Sequence, residues 1–299
     1  MTASLRNTLL ALLGDPPPEA TLEGTTLSRE KGDGYETEHL MIDLNGMESV
    51  PAILLKPLNR SGPHPVVVYQ HSHGGDFDRG KHELTESAGY LQDPSFAREI
   101  TAMGYAVLAI DHWGFEERKG KLESELVKEM LLYGRTLWGM RLFDSMRLLD
   151  YIATREDLDD TRIATIGMSM GGLLSWWLAA LDERVKVTID IAAQVDTETL
   201  LEKRGLDHHG FYYYVPGLLK ACSTYDIQEM IAPRFRLSLT GGSDRMCPVE
   251  GARYLDRELT KAYAGKGCPD HWEGRILTGG HQETKEMRET WKTFLRKHL

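Results

Sequence analysis

The chain has 299 residues, of which 41% are hydrophobic and 27% charged, so it can bury a full-sized core. Its 35 basic and 45 acidic residues give a formal net charge of −10, and there is no long basic run. This balance argues against nucleic acid and anionic membrane surfaces as main partners.

The cysteine spacing and the N-terminal residues bear on the cellular compartment of the protein. The three cysteines are widely spaced and contain no C-x-x-C pair, which is typical of reduced thiols rather than of disulfides or a zinc cluster. The leucine-rich run at 9–13 is too short for a signal-peptide core, and no apolar stretch approaches the length of a membrane span. We therefore predict a cytoplasmic protein that does not act at a membrane. The oligomeric state stays open, and a homo-oligomer is compatible with the sequence.

The chain begins with a predicted helix, a connector and a hairpin. Leucines at helical spacing predict a short amphipathic helix, which three consecutive prolines end. Two strand-like runs, 35–44 and 49–55, flank Asn45-Gly46, a dipeptide typical of tight β-hairpins. We expect residues 1–34 to be a helix and an irregular connector, and residues 35–299 to be one α/β domain.

Beyond the hairpin, strands and helices alternate. The predicted strands are 65–70, 105–110, 162–166, 185–191, 234–239 and 274–277. The predicted helices are 94–103, 122–153 with a break near Gly134 or Gly139, 172–181 and 282–299. This order predicts a mainly parallel sheet with helices on both faces and the hairpin at one edge. The 195–232 segment interrupts the alternation, and its aromatic residues predict a small lid over a site.

The strongest motif is G-x-S-x-G at 167–171, between a predicted strand and a predicted helix. Such a tight turn projects the Ser169 hydroxyl into a cleft, and the glycines permit the strained backbone. The first N–H groups of the following helix point at whatever binds there. The context favours Ser169 as a nucleophile.

A serine nucleophile needs a base and a carboxylate that orients the base. His281 follows the last predicted strand, and Asp244 lies in a glycine-containing loop after the preceding one. The order Ser, Asp, His is that of the α/β-hydrolases. Asp190, Asp196 and Asp111 also lie near strand ends, and Asp196 is the main competitor for the acid.

The oxyanion of an acyl-transfer reaction needs backbone donors. The N–H of Met170, directly after the serine, is one candidate. The second is expected from the loop after Gln70, where position favours His73 or Gly74 without a choice between them. We expect His71 to hold this loop through its ring nitrogens.

The same loop raises a metal-dependent alternative. His71 and His73 begin an H-x-H pattern, but Gly75 and Asp76 occupy the positions where a metallo-β-lactamase-type signature needs Asp and His. His208 and His209 also lack ligand spacing. We therefore expect no metal and no cofactor.

In the 195–232 segment, three consecutive tyrosines and a histidine pair are candidates for substrate contact. Tyrosines combine a flat apolar face with a polar tip. We predict that Tyr213 and His209 contact the substrate from this segment.

With these residues placed, the chain resembles the α/β-hydrolase superfamily, in particular its dienelactone-hydrolase-like and acetyl-xylan-esterase-like carboxylesterases. The segments that carry the resemblance are 71–75, 111–114, 134–141, 167–172, 232–234, 241–248 and 280–281. The resemblance implies Ser169 as nucleophile, His281 as base, Asp244 as acid and Met170 as oxyanion donor. Dienelactone hydrolases proper use a cysteine nucleophile, so the serine favours simple ester cleavage. Asp111 and Arg141 belong to the shared pattern and are interpreted as structural.

The predicted function is therefore that of a serine hydrolase that cleaves a small carboxylic ester through an acyl-enzyme. Two alternatives remain at this point. One is a serine peptidase that acts on short peptides, since one fold supports both chemistries. The other is a catalytically silent binding protein on the same fold.

Overall fold

The computed structural model describes residues 2–299. Within these residues there are nine strands: β1 Gly24–Gly32, β2 Tyr35–Asp43, β3 Ser49–Pro57, β4 His64–Gln70, β5 Ala106–Ile110, β6 Leu158–Met168, β7 Val185–Ile191, β8 Phe235–Gly241 and β9 Trp272–Leu277. The same range holds eleven α-helices: α1 Thr2–Leu13, α2 Glu83–Glu86, α3 Phe96–Ala102, α4 Glu123–Leu132, α5 Leu137–Ala153, α6 Met170–Leu181, α7 Thr197–Glu202, α8 Leu218–Ala221, α9 Thr224–Glu229, α10 Val249–Gly265 and α11 Lys285–His298. Short 3₁₀ turns lie at Glu116–Arg118, Leu206–His208, Phe211–Tyr213 and Pro269–His271.

The strands form a single mixed sheet in the order β1-β2-β3-β5-β4-β6-β7-β8-β9. Strands β1, β2, β3 and β5 pair antiparallel in succession, and every pairing from β5 through β4 to β9 is parallel. The predicted α/β-hydrolase architecture, a parallel sheet with an antiparallel hairpin at one edge, is confirmed. Because β4, β6, β8 and β9 run in one direction, the loops that follow them meet at one edge of the sheet.

Two apolar layers cover the sheet. One contains Trp138, Trp176 and Trp177 from helices α5 and α6. The other contains Phe96 and Trp291 from helices α3 and α11. All residues of β4 and β5 are buried, as expected for parallel strands covered on both faces.

The N-terminal connector differs from the prediction because it contains β1. Its nine residues are all exposed, so no apolar alternation marks it as a strand. Backbone pairing with β2 and polar contacts hold it, among them the bond from Thr26 to Glu38 at 2.6 Å. The prediction of an irregular connector was wrong over these residues, because pairing at a sheet edge leaves no apolar pattern in the sequence.

The helices differ from the prediction in two places. The predicted 122–153 helix is divided at Gly134, whose φ is +69°, whereas Gly139 lies inside α5. Helix α10, which the sequence analysis did not assign, follows the loop that contains Asp244. No helix among residues 2–299 has the length and apolar character needed to cross a membrane.

Candidate active site

Ser169 lies between the last residue of β6 and the first residue of α6. Its φ of 54° and ψ of −120° form a sparsely populated backbone conformation for a residue with a side chain. The Ser169 N–H donates to the carbonyl of Ile191 on the neighbouring strand over 2.8 Å. The surrounding sheet therefore holds the strained turn in place.

The glycines of the G-x-S-x-G motif are required because the backbone of strand β4 lies very close to them. A Cβ on Gly171 would overlap the carbonyl oxygen of Gln70, and a Cβ on Gly167 would lie 2.5 Å from the same oxygen. Strand β4 thus packs directly against the turn, where a side chain has no room. This approach brings the loop that follows β4 next to Ser169.

The structure brings Ser169, His281 and Asp244 into one hydrogen-bonded chain. The Ser169 hydroxyl lies 2.8 Å from Nε2 of His281, and Nδ1 of His281 lies 2.8 Å from Oδ2 of Asp244. With a proton on Nδ1, the ring donates to Asp244 and accepts from Ser169. This arrangement prepares the imidazole to take the serine proton.

The environment of Asp244 fixes the direction of its carboxylate. The side chain is fully buried, whereas that of His281 is 23% exposed. Oδ1 accepts the N–H groups of Met246 at 2.8 Å and Cys247 at 3.2 Å, which leaves Oδ2 for His281. Asp244 follows β8 and His281 follows β9, as the sequence order predicts.

The other candidate carboxylates are engaged elsewhere. Asp190 is buried against Arg236, with Nη2 to Oδ1 at 2.9 Å. Asp196 begins helix α7 and accepts the Thr199 N–H over 2.9 Å. Asp111 pairs with Lys81 at 2.8 Å. Of the four aspartates considered from the sequence, Asp244 is the one that contacts His281.

His71 anchors the 71–77 loop, as expected. Burial lowers the pKa of its imidazole to about 3, so the ring is neutral at pH 7. Its Nε2 accepts the N–H of His112 over 3.1 Å, which places the proton on Nδ1, 2.8 Å from the Ser72 carbonyl. Nδ1 therefore fixes the backbone of the loop itself, and Nε2 ties the loop to the segment that follows β5.

A buried carboxylate that the sequence analysis missed also holds this loop. Glu83 accepts the Ser72 N–H over 2.9 Å and the Tyr69 hydroxyl over 2.7 Å, and the Tyr90 hydroxyl donates to its other oxygen. A Cβ on Gly74 would overlap the Tyr90 ring. Glu83 lies in a polar stretch typical of a surface helix, so no sequence signal marked it.

The candidate oxyanion donors have free N–H groups. Within residues 2–299, the backbone N–H groups of Met170, His73 and Gly74 have no protein acceptor. Met170 is the first residue of α6, where helical N–H groups lack an intrahelical partner. Gly74 has a φ of +52°, a left-handed conformation that suits glycine. These groups fit the predicted oxyanion role, and the choice between His73 and Gly74 stays open.

In the 195–232 segment Tyr212 reaches the 71–77 loop, with its hydroxyl 3.1 Å from Nε2 of His73, and the contact of Tyr213 with substrate stays a prediction. Tyr213 packs edge-on against Trp138, with ring centroids 5.3 Å apart. It also lines a cavity of about 400 Å³ within the segment. The sequence could not separate the tyrosines, because a 3₁₀ turn at Phe211–Tyr213 decides where each one points.

His209, the other residue predicted to contact substrate, is tied to the loop that carries Asp244. Its Nε2 lies 2.8 Å from the carbonyl oxygen of Met246. Burial lowers the pKa of its imidazole, with a contribution from the nearby His281. His209 therefore lies beside the Ser169–His281–Asp244 chain as a neutral ring.

Among residues 2–299, two groups of side chains have the ligand spacing of a metal site. The first consists of Asp244, Cys247 and His281 and coincides with the hydrogen-bonded chain already described. The second consists of Asp111, Glu116 and Glu117, and the Lys81 ammonium bonds all three carboxylates at 2.6–2.8 Å. That ammonium already supplies the positive charge which a metal ion would bring.

The fold and this side-chain arrangement define a member of the α/β-hydrolase superfamily. The model of the X-Pro dipeptidyl-peptidase (S15) family matches residues 47–269, and the chain belongs to that family. A Bacillus subtilis (strain 168) protein named "Putative hydrolase YtaP" is 50% identical over 299 residues, which is 100% of both chains.

Solved structures with lower identity share the fold. A "putative acetyl xylan esterase" from Bacteroides fragilis is 19% identical and superposes with a TM-score of 0.73, over 92% of this chain and 74% of its own. A glucuronoyl esterase from Solibacter usitatus is 17% identical with a TM-score of 0.71, over 97% and 91% of the two chains.

Proposed function

We propose that this protein is a serine hydrolase that cleaves a small carboxylic ester through an acyl-enzyme. The observation that carries the proposal is the pair of 2.8 Å contacts that joins Ser169 to His281 and His281 to Asp244. The strained turn that presents the serine supports the same role, because such strain persists where the surroundings enforce it.

The proposed reaction has two halves. His281 takes the Ser169 proton as the hydroxyl oxygen attacks the ester carbonyl, and Asp244 stabilises the resulting imidazolium. The carbonyl oxygen becomes an oxyanion that accepts from the Met170 N–H and from the N–H of His73 or Gly74. Collapse breaks the bond to the alcohol, which His281 protonates. Water, activated by the same imidazole, then hydrolyses the acyl-enzyme and regenerates Ser169.

Two considerations favour esters over peptides. The structural neighbours carry names that describe esterases, an acetyl xylan esterase and a glucuronoyl esterase among them. The Arg141 guanidinium also acts as a positive charge on His73, and a cation near the site disfavours the positively charged amino terminus of a short peptide. The substrate we propose is therefore an uncharged or anionic ester.

Peptide cleavage is the second candidate, because the matching family model is that of an X-Pro dipeptidyl-peptidase. The serine chemistry is common to both reactions, so the substrates must separate them. Nitrophenyl esters of graded acyl length and Xaa-Pro nitroanilides should be compared at equal enzyme concentration. Faster ester turnover supports our proposal, whereas a higher kcat/KM on the anilides would establish the peptidase.

Labelling by an alkyl fluorophosphonate tests the covalent step. The wild-type chain should take up one label on the peptide that contains Ser169, with loss of all turnover. Ser169→Ala should remain unlabelled, melt within about 2 °C of the wild type, and lose at least about 10³-fold in kcat. A wild-type chain that is folded and unlabelled would instead be the catalytically silent binding protein.

We propose the cytoplasm as the location. The three cysteines, Cys222, Cys247 and Cys268, are all free thiols, and two of them are buried. Such usage fits a reducing compartment.

A further inference from the structure

A hydrogen bond joins the 195–232 segment to the 71–77 loop. The Gly75 N–H donates to Nδ1 of His73 over 2.9 Å, so this nitrogen is an acceptor. Burial, together with repulsion by Arg141, lowers the pKa of His73 to about 4, so the ring is neutral at pH 7. Its proton is therefore on Nε2, which donates to the Tyr212 hydroxyl 3.1 Å away.

Tyr212 is itself held between an aromatic ring and a cation. Its ring stacks on Trp138 with centroids 5.9 Å apart. The Arg141 guanidinium carbon lies 4.5 Å from the Tyr212 ring centroid and 4.9 Å from that of Phe115. Tyr212 is 3% exposed and Arg141 is fully buried, so these contacts are shielded from water. Cation–π attraction is strongest under such conditions.

Arg141 carries a buried charge that no carboxylate contacts directly, although Glu123 attracts it from a greater distance. Among residues 2–299 the terminal nitrogens of its guanidinium bond a sulfur and a carbonyl oxygen but no carboxylate, and its Nε has no hydrogen-bond partner. One terminal nitrogen donates to the Trp113 carbonyl over 2.9 Å. Burial lowers the pKa of the guanidinium to about 10, which leaves it charged at pH 7. A buried charge without a counter-charge in direct contact costs stability, so its presence calls for a functional reason.

The other terminal nitrogen of Arg141 lies 3.2 Å from the sulfur of Met170. Met170 is the residue whose N–H faces the proposed oxyanion, so the guanidinium contacts the side chain of a proposed oxyanion donor. The field of a cation in a water-excluded interior favours the negative charge of an oxyanion.

The opposite side of the 71–77 loop is fixed by different groups. Gly74 packs against the Tyr90 ring, and Tyr90 is held by the buried Glu83. The 71–77 loop therefore contacts Tyr90 on one side and Tyr212 of the 195–232 segment on the other. The hydrogen bond between Tyr212 and His73 therefore depends on the position of the 195–232 segment.

We propose that Arg141 and Tyr212 are positioning residues for the oxyanion side of the site. Tyr212 holds His73, and with it the free N–H groups of His73 and Gly74, in the orientation that receives the oxyanion. Arg141 holds the Tyr212 ring and adds its field at Met170. The 195–232 segment is thus a part of the catalytic geometry as well as a cover. This inference rests on the proposed serine hydrolase function.

Tyr212→Phe tests the hydrogen bond, because it keeps the ring and removes the hydroxyl. We expect kcat to fall about tenfold on esters of every acyl length, with KM within about twofold, since the contact acts in the transition state. Tyr214→Phe is the matched control. It removes a neighbouring hydroxyl that bonds the Leu206 carbonyl inside the segment, and it should stay within about twofold of the wild type. Unchanged kcat in Tyr212→Phe, or a loss confined to long acyl chains, would overturn the proposal.

Arg141→Met and Arg141→Lys test the charge. The methionine variant should lose about 10- to 100-fold in kcat, and the lysine variant should recover most of that loss. If Arg141 were only structural, the kcat of each variant would fall in proportion to its loss of thermal stability, and lysine would give no recovery beyond that. That result would contradict the role of the charge.

Two readouts separate this inference from the proposed function. Fluorophosphonate labelling of the wild type reports on Ser169 whatever Tyr212 does. Nitrogen-15 NMR of the His73 ring reports on the hydrogen bond without any turnover. We expect a protonated Nε2 in the wild type and a shift of that signal in Tyr212→Phe. A protonated Nδ1, or an unmoved signal, would refute the coupling even if the enzyme proves to be an esterase.

Discussion

At the scale of single residues, the site depends on the direction in which the Asp244 carboxylate points. Oδ1 accepts two backbone N–H groups and Oδ2 accepts from His281. A carboxylate can accept from the backbone N–H groups and from the His281 ring at the same time, because both of its oxygens are acceptors. An amide cannot, because it has only one oxygen. A carboxylate or an amide at position 244 therefore places the proton of His281 on different ring nitrogens.

Asp244→Asn should lower kcat by about 10³- to 10⁴-fold while the fold is kept. The amide oxygen must face the Met246 and Cys247 N–H groups, so the amide NH₂ faces Nδ1 of His281 and forces the proton onto Nε2. Nε2 can then no longer accept from Ser169. Steady-state kinetics on a nitrophenyl ester measure the loss.

Asp196→Asn is the matched comparison for that variant. Asp196 begins α7, and asparagine serves nearly as well at a helix N-cap, so activity should change less than about tenfold. The reverse order of the two effects would assign the acid to the loop after β7.

At the scale of elements, the unit of β6, Ser169 and α6 functions because two backbones approach without side chains between them. Gly171 faces the carbonyl of Gln70 at the end of β4. Helix α6 is entirely buried, so it cannot move outward to make room. The spacing of the G-x-S-x-G motif thus reflects packing as much as chemistry.

Gly171→Ala should destabilise the protein by about 3 kcal/mol or more, because the new methyl group overlaps the Gln70 carbonyl. Gly265→Ala is the control. Gly265 ends α10 with nothing within 4 Å of a Cβ, so alanine should be neutral or stabilise by up to about 1 kcal/mol. Urea unfolding compares the two. Equal stability of both variants would contradict the close approach.

At the scale of the whole molecule, an ionic network joins the antiparallel edge of the sheet to the parallel part. Glu38 on β2 accepts from Thr26 at 2.6 Å, from Arg29 at 3.0 Å and from Arg155, which precedes β6, at 2.9 Å. Burial alone would raise the pKa of Glu38, but these hydrogen bonds lower it to about 2. The carboxylate is therefore a charged link between distant parts of the chain.

Glu38→Gln should reduce the free energy of unfolding by about 3 kcal/mol at pH 7. A carboxyl whose folded pKa lies below its ordinary value stabilises the fold above that ordinary value. The contribution fades as the pH falls from about 4.5 toward 2. The difference between variant and wild type should therefore narrow over that interval in denaturant titrations.

Glu30→Gln, on the exposed strand β1, should change stability by less than about 0.5 kcal/mol at either pH. If the variants at positions 30 and 38 behave alike, the network adds nothing to the stability of the fold.

Much of this protein was readable from its sequence, because the informative signals are local. Alternating apolar runs and turn residues predicted the mainly parallel sheet and the hairpin, and both are present. The G-x-S-x-G motif in its strand-to-helix context, with Asp244 and His281 after later strands, predicted three side chains that the structure places in contact. Strand order along one sheet edge turns sequence order into proximity, so these residues could be found together.

Only the tertiary structure decided the features that depend on distances between remote segments. Ser169 and His281 are 112 residues apart, and it is Asp244 rather than Asp196 that contacts His281. The rotation of one 3₁₀ turn directs Tyr212, rather than Tyr213, toward His73. Strand β1 and the buried Glu83 left no apolar pattern, because backbone pairing and hydrogen bonds to a buried carboxylate are settled by their partners in space.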